Sequence, residues 1–273
     1  MLGRTCATLL CLAGCDRAFL GERVPPAAFS EPILLDEGPV NSPATEEDDP
    51  SLTGDLLELY FLRQGDLFRA TRADASMPWS APMPVVEPNT AGTELRPSVS
   101  ENGLTIYFSR GPLGDRDIFV STRPSRTATW SPPDRLALDL NQPGSDELAG
   151  WSSPDGLTLL VESSVGGSHD LYLATRAAVG ESFTSAPFAE LNSSSNDGAA
   201  WATPDGRAIV FESNRTQTTA IWEANLEDDV WYLHHHVELD TARTDGTPWL
   251  SPDGNVIVFS RTTTTDDLYL ATR

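Results

Sequence analysis

Short apolar runs recur along this chain, each set off by a polar turn. Residues 157–161 (LTLLV), 208–211 (AIVF) and 256–259 (VIVF) follow an Asp-Gly pair within a residue, the strongest short hairpin signal. Their length and β-branched content predict strands, and no stretch of the repeats keeps a 3.6-residue apolar period long enough for a helix. Each run belongs to a three-part phrase. The first part ends in the turn: PSLTGD from Pro50, PSVSENG from Pro97, GWSSPDG from Gly150, AWATPDG from Ala200 and PWLSPDG from Pro248. The second is GDLFRATR from Gly65, RDIFVSTR from Arg116, HDLYLATR from His169, TAIWEANL from Thr219 and DDLYLATR from Asp266. The third opens on an aromatic residue: WSAPMPVVE from Trp79, WSPPDRLALDL from Trp130, FTSAPFAEL from Phe183 and WYLHHHVELD from Trp231.

No third part follows Arg273; it stands at the other end of the chain, as FSEPILLD from Phe29. An N-terminal segment that supplies the strand missing from the last unit closes an array into a ring. The aligned turns at Leu56, Gly103, Gly156, Gly206 and Gly254 are 47, 53, 50 and 48 residues apart, a period suited to blades of four strands each. The expectation is an all-β fold, a five-bladed β-propeller of four-stranded antiparallel blades over residues 29–273, with residues 29–36 completing the last blade. Residues 38–50, almost without apolar side chains, read as a flexible loop between that strand and the first inner strand.

Charge narrows the partners. Eighteen basic residues, all arginine, face 40 acidic ones, for a formal charge of −22. Nucleic acid and anionic membrane surfaces are therefore excluded as direct partners, because phosphate binding needs a basic patch. Cations, cationic peptides and neutral glycans stay open. All three cysteines fall in the first 15 residues, so disulfides do not hold the repeats together. Arg4 precedes an apolar run over residues 7–13 (ATLLCLA) that is too short to span a bilayer and has the shape of a secretory signal. It ends in Leu12-Ala13-Gly14-Cys15, which resembles the bacterial lipobox. That resemblance implies a signal peptide over residues 1–14, a lipidated Cys15, a tether over residues 15–28, and an exported protein held in the cell envelope by its lipid, at the periplasmic face or in the outer membrane. Asp16 beside Cys15 resembles the inner-membrane retention signal of enteric bacteria.

The SPDG turns from Ser153 and Ser251, with TPDG from Thr203, the Trp before each turn, and the Asp-hydrophobic-Tyr pattern of the second part resemble the WD-like repeats of TolB-type β-propellers. The resemblance spans residues 46–273. It implies a propeller that binds proteins or peptides at its central channel, although similar blades also accompany peptidases. This chain departs from TolB in having five blades rather than six. Within its own repeats, Ala220 replaces the acid found at Asp66, Asp117, Asp170 and Asp267, and Leu226 replaces the closing arginine.

Candidate chemistry sits at repeated positions. Glu47, Glu94, Glu147, Asp197 and Asp245 share one register, where the outer strand of one blade passes into the innermost strand of the next. A ring of carboxylates at the channel mouth would collect a cation or an arginine-rich peptide. At the same positions each carboxylate could instead accept backbone N–H groups or an arginine from a neighbouring blade, with Arg63, Arg110 and Arg261 on the same face as partners. Repetition weighs for locking, since binding sites break symmetry. An exception is expected at Asp197 or Asp245, beside a fourth blade with no arginine in register with Arg63. Trp151, Trp201 and Trp249, and Trp79, Trp130 and Trp231, read as apolar wedges between blades rather than sugar platforms. His234 and His236 alternate onto one side of a strand near Glu238, short of a usual ligand set, so no metal site is expected and the triplet reads as a polar outer edge strand. With no Gly-x-Ser-x-Gly, no cysteine in the repeats and His169 the only histidine outside the triplet, neither an enzyme nor a cofactor is expected. The expected function is a monomeric, non-enzymatic binding or scaffold module for protein or peptide partners, cationic ones included. The alternative is a carbohydrate-binding or glycoside-cleaving propeller, which would show one pocket of unequal acids with exposed tryptophan.

Overall fold

A strand buried on both faces must pack between two other sheets, and the second strand of every repeat is of that kind. In the computed structural model, which describes residues 25–36, 38–241 and 243–273, these strands sit inside five four-stranded antiparallel sheets arranged as a five-bladed propeller. Blade 1 comprises β2 (Glu47–Leu52), β3 (Glu58–Arg63), β4 (Asp66–Thr71) and β5 (Met83–Pro84). Blade 2 comprises β6 (Glu94–Val99), β7 (Thr105–Arg110), β8 (Asp117–Thr122) and β9 (Asp134–Arg135). Blade 3 comprises β10 (Glu147–Ser152), β11 (Thr158–Ser163), β12 (Asp170–Thr175) and β13 (Thr184–Pro187). Blade 4 comprises β14 (Asp197–Ala202), β15 (Ala208–Ser213), β16 (Ala220–Glu227) and β17 (Val230–His235). Blade 5 is built from β18 (Asp245–Leu250), β19 (Val256–Thr262), β20 (Asp266–Thr272) and, from the N-terminal end, β1 (Ile33–Leu34).

The closure is as the displaced repeat predicts. Ile33 pairs with Leu270 and Leu34 with Tyr269, and the Ser30 and Leu35 amides donate to the carbonyls of Thr272 and Leu268. Phe29 takes the place that Trp79, Trp130 and Phe183 hold in their blades. In each case the arginine that ends the third strand lies over the ring: Arg72 over Trp79 at 4.2 Å, Arg123 over Trp130 at 4.4 Å, Arg176 over Phe183 at 4.4 Å and Arg273 over Phe29 at 4.5 Å. The same arginines donate from Nε to the carbonyl at the first hairpin turn, those of Leu56, Gly103, Gly156 and Gly254. Arg123 and Arg273 also reach back one blade, to Glu58 at 2.6 Å and Glu223 at 2.6 Å. Those two pairs are ionic struts between blades. Phe61, Phe108, Phe211 and Phe259 are fully buried, each worth roughly 1.5–3 kcal/mol of transfer free energy. Trp151, Trp201 and Trp249 are buried in the inner strands, and the Trp249 indole donates to the Leu52 carbonyl of the next blade.

Two expectations need correction. Residues 38–50 are not a free loop: Val40 is fully buried, the Asn41 side chain both donates to and accepts from the Leu268 backbone, and β2 already begins at Glu47. Nor does the histidine triplet lie wholly along a polar outer edge. His236 is buried, with Nε2 2.8 Å from Glu223 and Nδ1 2.8 Å from Glu238, so both ring nitrogens already have carboxylate partners. His236 and Arg273 together hold the Glu223 carboxyl down at about 2 against the upward push of burial. His234, His236 and Glu238 cluster within 4.8 Å, but the ligand atoms of His236 are already engaged. Cys15 and the proposed signal and tether up to residue 24 lie outside the described residues.

Candidate functional site at the channel mouth

Each inner strand begins with one of the five aligned acids, and all five are buried, not exposed around a ring. Their first task is local. Glu47, Glu94, Asp197 and Asp245 accept the amides of Ser42, Thr90, Ser193 and Thr241, capping the turn by which the chain enters the blade. Arginines complete the lock, but from the same blade rather than a neighbouring one: Arg63 to Glu47 at 2.8 Å, Arg110 to Glu94 at 2.8 Å and Arg261 to Asp245 at 2.5 Å. Each guanidinium also donates to a carbonyl of the preceding crossover, at Val40, Pro88 and Leu239. Blade 4 is no exception. Arg215, two residues beyond the aligned Ser213, reaches Asp197 at 2.5 Å and the Leu191 carbonyl.

The exception is Glu147 in blade 3. Ser163 stands where the arginine would be, and the carboxylate is held by the hydroxyls of Ser145 and Ser163 on one oxygen, with Oε2 left without a hydrogen bond of ordinary geometry. Burial, only partly offset by these hydroxyls, raises its pKa. One residue type in this crossover escaped sequence reasoning although it repeats in four of the five blades. Asn41, Asn89, Asn141 and Asn192 each bracket the first pairs of a third strand, bonding both N–H and C=O of Leu268, Leu67, Ile118 and Leu171.

Two residues past each acid the inner strand bulges, with register shifts between strands one and two of every blade. Asp49, Arg96, Ala199 and Thr247 occupy this position with φ of 54°, 53°, 49° and 47°, left-handed geometry that costs a non-glycine residue about 1–2 kcal/mol. The bulge turns backbone N–H groups toward carboxylates. Asp49 accepts from the Arg96 amide, Glu162 from Ala199 at 3.0 Å and Glu212 from Thr247 at 2.9 Å. Gly198 and Gly246 make the last two approaches feasible: a Cβ there would stand 2.2 Å from Glu162 Oε2 and 2.5 Å from Glu212 Oε2.

Arg96 crosses the axis and gathers these carboxylates. Its guanidinium lies 3.2 Å from Asp49, 3.4 Å from Glu162 and 3.2 Å from Glu212, so one cation ties blade 2 to blades 1, 3 and 4. At this level the axial space, lined by Asp49 and Arg96 among others, has only about 20 Å³ free. The channel is plugged. Burial disfavours the Arg96 cation, but Glu162, Asp49, Glu212 and Asp48 more than offset it and raise its pKa. Asp49 is pushed up to about 7, by burial first and then by Asp48, against the pull of Arg96. Glu162 goes the other way: Arg96 and His169 overcome its burial and lower it.

Above the plug, between blades 3 and 4, opens a cavity of about 280 Å³ lined by Arg96, Glu162, His169, Glu212, Asn214 and Thr219 among others. His169 Nδ1 is 2.6 Å from Glu162 Oε1, a bond that raises the histidine pKa. Glu162 and Glu212 are absent from the repeat pattern, Leu62, Ser109 and Ser260 standing at their register, and that break of symmetry was the available signal. The cavity offers charged and amide groups and no tryptophan face; Trp201 lines the closed axis instead. Asp49, whose carboxyl is raised toward neutrality, lies in that axial space and not in the mouth.

No family model matches this chain, and neither does any curated protein. Solved structures do. A TolB of Agrobacterium tumefaciens shares 23% identity over 82% of this chain and 72% of its own, with a TM-score of 0.54. A thermostable family-43 glycoside hydrolase shares 14% over 87% of this chain and 91% of its own, at 0.56. A family 117 glycoside hydrolase of Zobellia galactanivorans shares 10% over 89% and 90%, at 0.57. At these identities the likeness is one of fold. It extends equally to a TolB and to glycoside hydrolases.

Proposed function

We propose that this chain is a binding module of the bacterial cell envelope, exported and lipid-anchored through Cys15, that takes a basic side chain of a protein or peptide partner into the mouth between blades 3 and 4. The observation that carries this reading is the asymmetric cavity itself, in which Glu162 and Glu212 break an otherwise five-fold pattern. Both carboxylates are pre-positioned by backbone amides, and an incoming cation would share them with Arg96 and, at Glu162, with His169. Arg96 neutralises part of the charge and fixes the floor, while the chain's large acidic excess draws a cationic partner in. The five aligned acids serve the crossovers and leave binding to the mouth.

The glycoside-cleaving alternative draws on the same inequality of acids and on the fold shared with two glycoside hydrolases. It is the weaker reading, because the carboxyl poised near neutrality is sealed in the axis and the mouth has no aromatic platform for a sugar.

A blocking substitution tests the proposal. Thr219→Arg and Asn214→Arg place a cation in the cavity from half-buried lining positions. A tri-arginine peptide titrated into the purified protein should bind in a salt-sensitive way, and each variant should weaken it at least tenfold. Equal binding to wild type and variants would overturn the mouth as the site, and cleavage of aryl glycosides that stops in Glu162→Gln would favour the alternative.

A further inference from the structure

The outer edge of blade 4 ends in a turn that gathers potential metal ligands. Along an extended strand His234 and Glu238 would stand roughly 13 Å apart, too far to share an ion. But β17 stops at His235, and the Leu239 amide donates back to the His236 carbonyl, closing a turn. The turn folds Glu238 over His236, and one ligand atom from each of His234, His236 and Glu238 then lies within 4.8 Å of the others. Ligands of a tetrahedral zinc ion stand about 3.3 Å apart, so modest side-chain rotation completes the approach.

The buried member of the cluster is held as a metal ligand is held. Nε2 of His236 lies 2.8 Å from Glu223, an anion that can only accept, so Nε2 carries the hydrogen and Nδ1 is directed into the cluster. A carboxylate behind a histidine fixes ligating imidazoles in this manner. Nδ1 is bonded to Glu238 Oε1 at 2.8 Å; a cation entering between them takes the place of the shared proton, which leaves to solvent, while the bond to Glu223 is kept. His234 is half-buried, edge-on to His236 with ring centroids 4.9 Å apart, and its side chain makes no hydrogen bond or ion pair among the described residues. Its imidazole is free to offer a lone pair.

Two imidazoles and one carboxylate leave a fourth position for water, and this donor set suits zinc, whereas calcium and magnesium take oxygen ligands. Glu238 Oε1 also accepts the Phe29 amide at 3.0 Å, and the Phe29 ring packs edge-on against His236. An ion here would sit at the join between blade 4 and the segment that completes blade 5.

We propose that His234, His236 and Glu238 form a zinc-binding site that clasps this join. The site is independent of the mouth between blades 3 and 4. Titration calorimetry of the full chain with ZnCl2 should give one saturable site, and zinc at a hundredfold excess over Kd should raise the melting temperature by roughly 5–10 °C. His234→Gln removes a ligand with no other bond, so the metal-free melting temperature should hold while zinc affinity falls at least tenfold. Glu238→Gln keeps an acceptor for the Phe29 amide and should lose as much. CaCl2 should bind wild type at least tenfold more weakly than ZnCl2. CoCl2 should give the visible bands of a four-coordinate ion without the near-ultraviolet absorption of a thiolate ligand, which distinguishes this site from the cysteines at the start of the chain. No saturable zinc binding, zinc affinity unchanged in His234→Gln, equal affinity for calcium and zinc, a melting temperature indifferent to zinc, or a thiolate spectrum with cobalt would each overturn the proposal.

Discussion

Asp49→Asn tests the electrostatics of the axial plug through the pH dependence of stability. The folded carboxyl is raised from 3.8 to about 7, so the folded chain keeps a proton that the unfolded chain has released. Stability from that proton is complete below the unfolded value and is lost as pH climbs through the folded one. At about 1.4 kcal/mol per pKa unit, the full shift is worth about 4 kcal/mol, of which roughly 2–3 kcal/mol falls between pH 5 and pH 8. His169, also raised, adds a loss of the same sign over the upper part of this window. Glu162 and Glu223 are lowered; their contributions are present above the unfolded value of 4.5 and disappear only on further acidification, leaving the window untouched. Urea unfolding at four pH values from 5 to 8, followed by tryptophan fluorescence, should show wild type losing about 2–3 kcal/mol more than Asp49→Asn, and a His169→Gln background separates the histidine contribution. Parallel pH profiles for wild type and Asp49→Asn would refute a proton held in the axis.

The acids that open the inner strands should separate by partner: Glu94→Gln costs about 2–3 kcal/mol because Arg110 loses its carboxylate, whereas Glu147→Gln is neutral or stabilising at pH 7, since a raised carboxyl without an arginine gives up nothing charged. Thermal melts of all five acid-to-amide variants check this, and equal losses would contradict it. Phe29→Ala should cost about 3 kcal/mol in urea unfolding through lost burial and the lost face for Arg273, and deleting residues 29–36 should expose the edge of β20 and cause aggregation on size-exclusion chromatography. Cys15→Ser should release the protein from the membrane fraction or leave it as uncleaved precursor, because acyl chains at ~0.8 kcal/mol per buried methylene supply the attachment.

The propeller was legible because every repeat states the same local chemistry. An Asp-Gly hairpin, a doubly buried strand and a closing arginine recur often enough for a displaced FSEPILLD to be recognised as a missing strand, and Phe29 beneath Arg273 shows that even its aromatic register carried over. The acid–arginine lock was visible too, but its wiring was not. Pairing Glu47 with Arg63 requires knowing that they are opposite partners on adjacent strands of one blade, a fact of register that no composition supplies. Arg215 shows the limit more sharply: it stands two residues away from the aligned position, and its long side chain makes up the distance. Sequence alignment therefore assigned the break to blade 4, while the carboxylate without a cation is Glu147 in blade 3. The mouth was hidden for the opposite reason. Arg96 matches no other repeat, and Glu162 and Glu212 share a register with each other but with no acid in blades 1, 2 and 5, so a search for what recurs in every blade passes over them. Only the closed ring brings them onto one axis, where a single guanidinium can answer carboxylates that lie far apart in the chain. In a propeller, repetition reports on how the blades hold, and the positions where it fails mark where a ligand can be told from the scaffold.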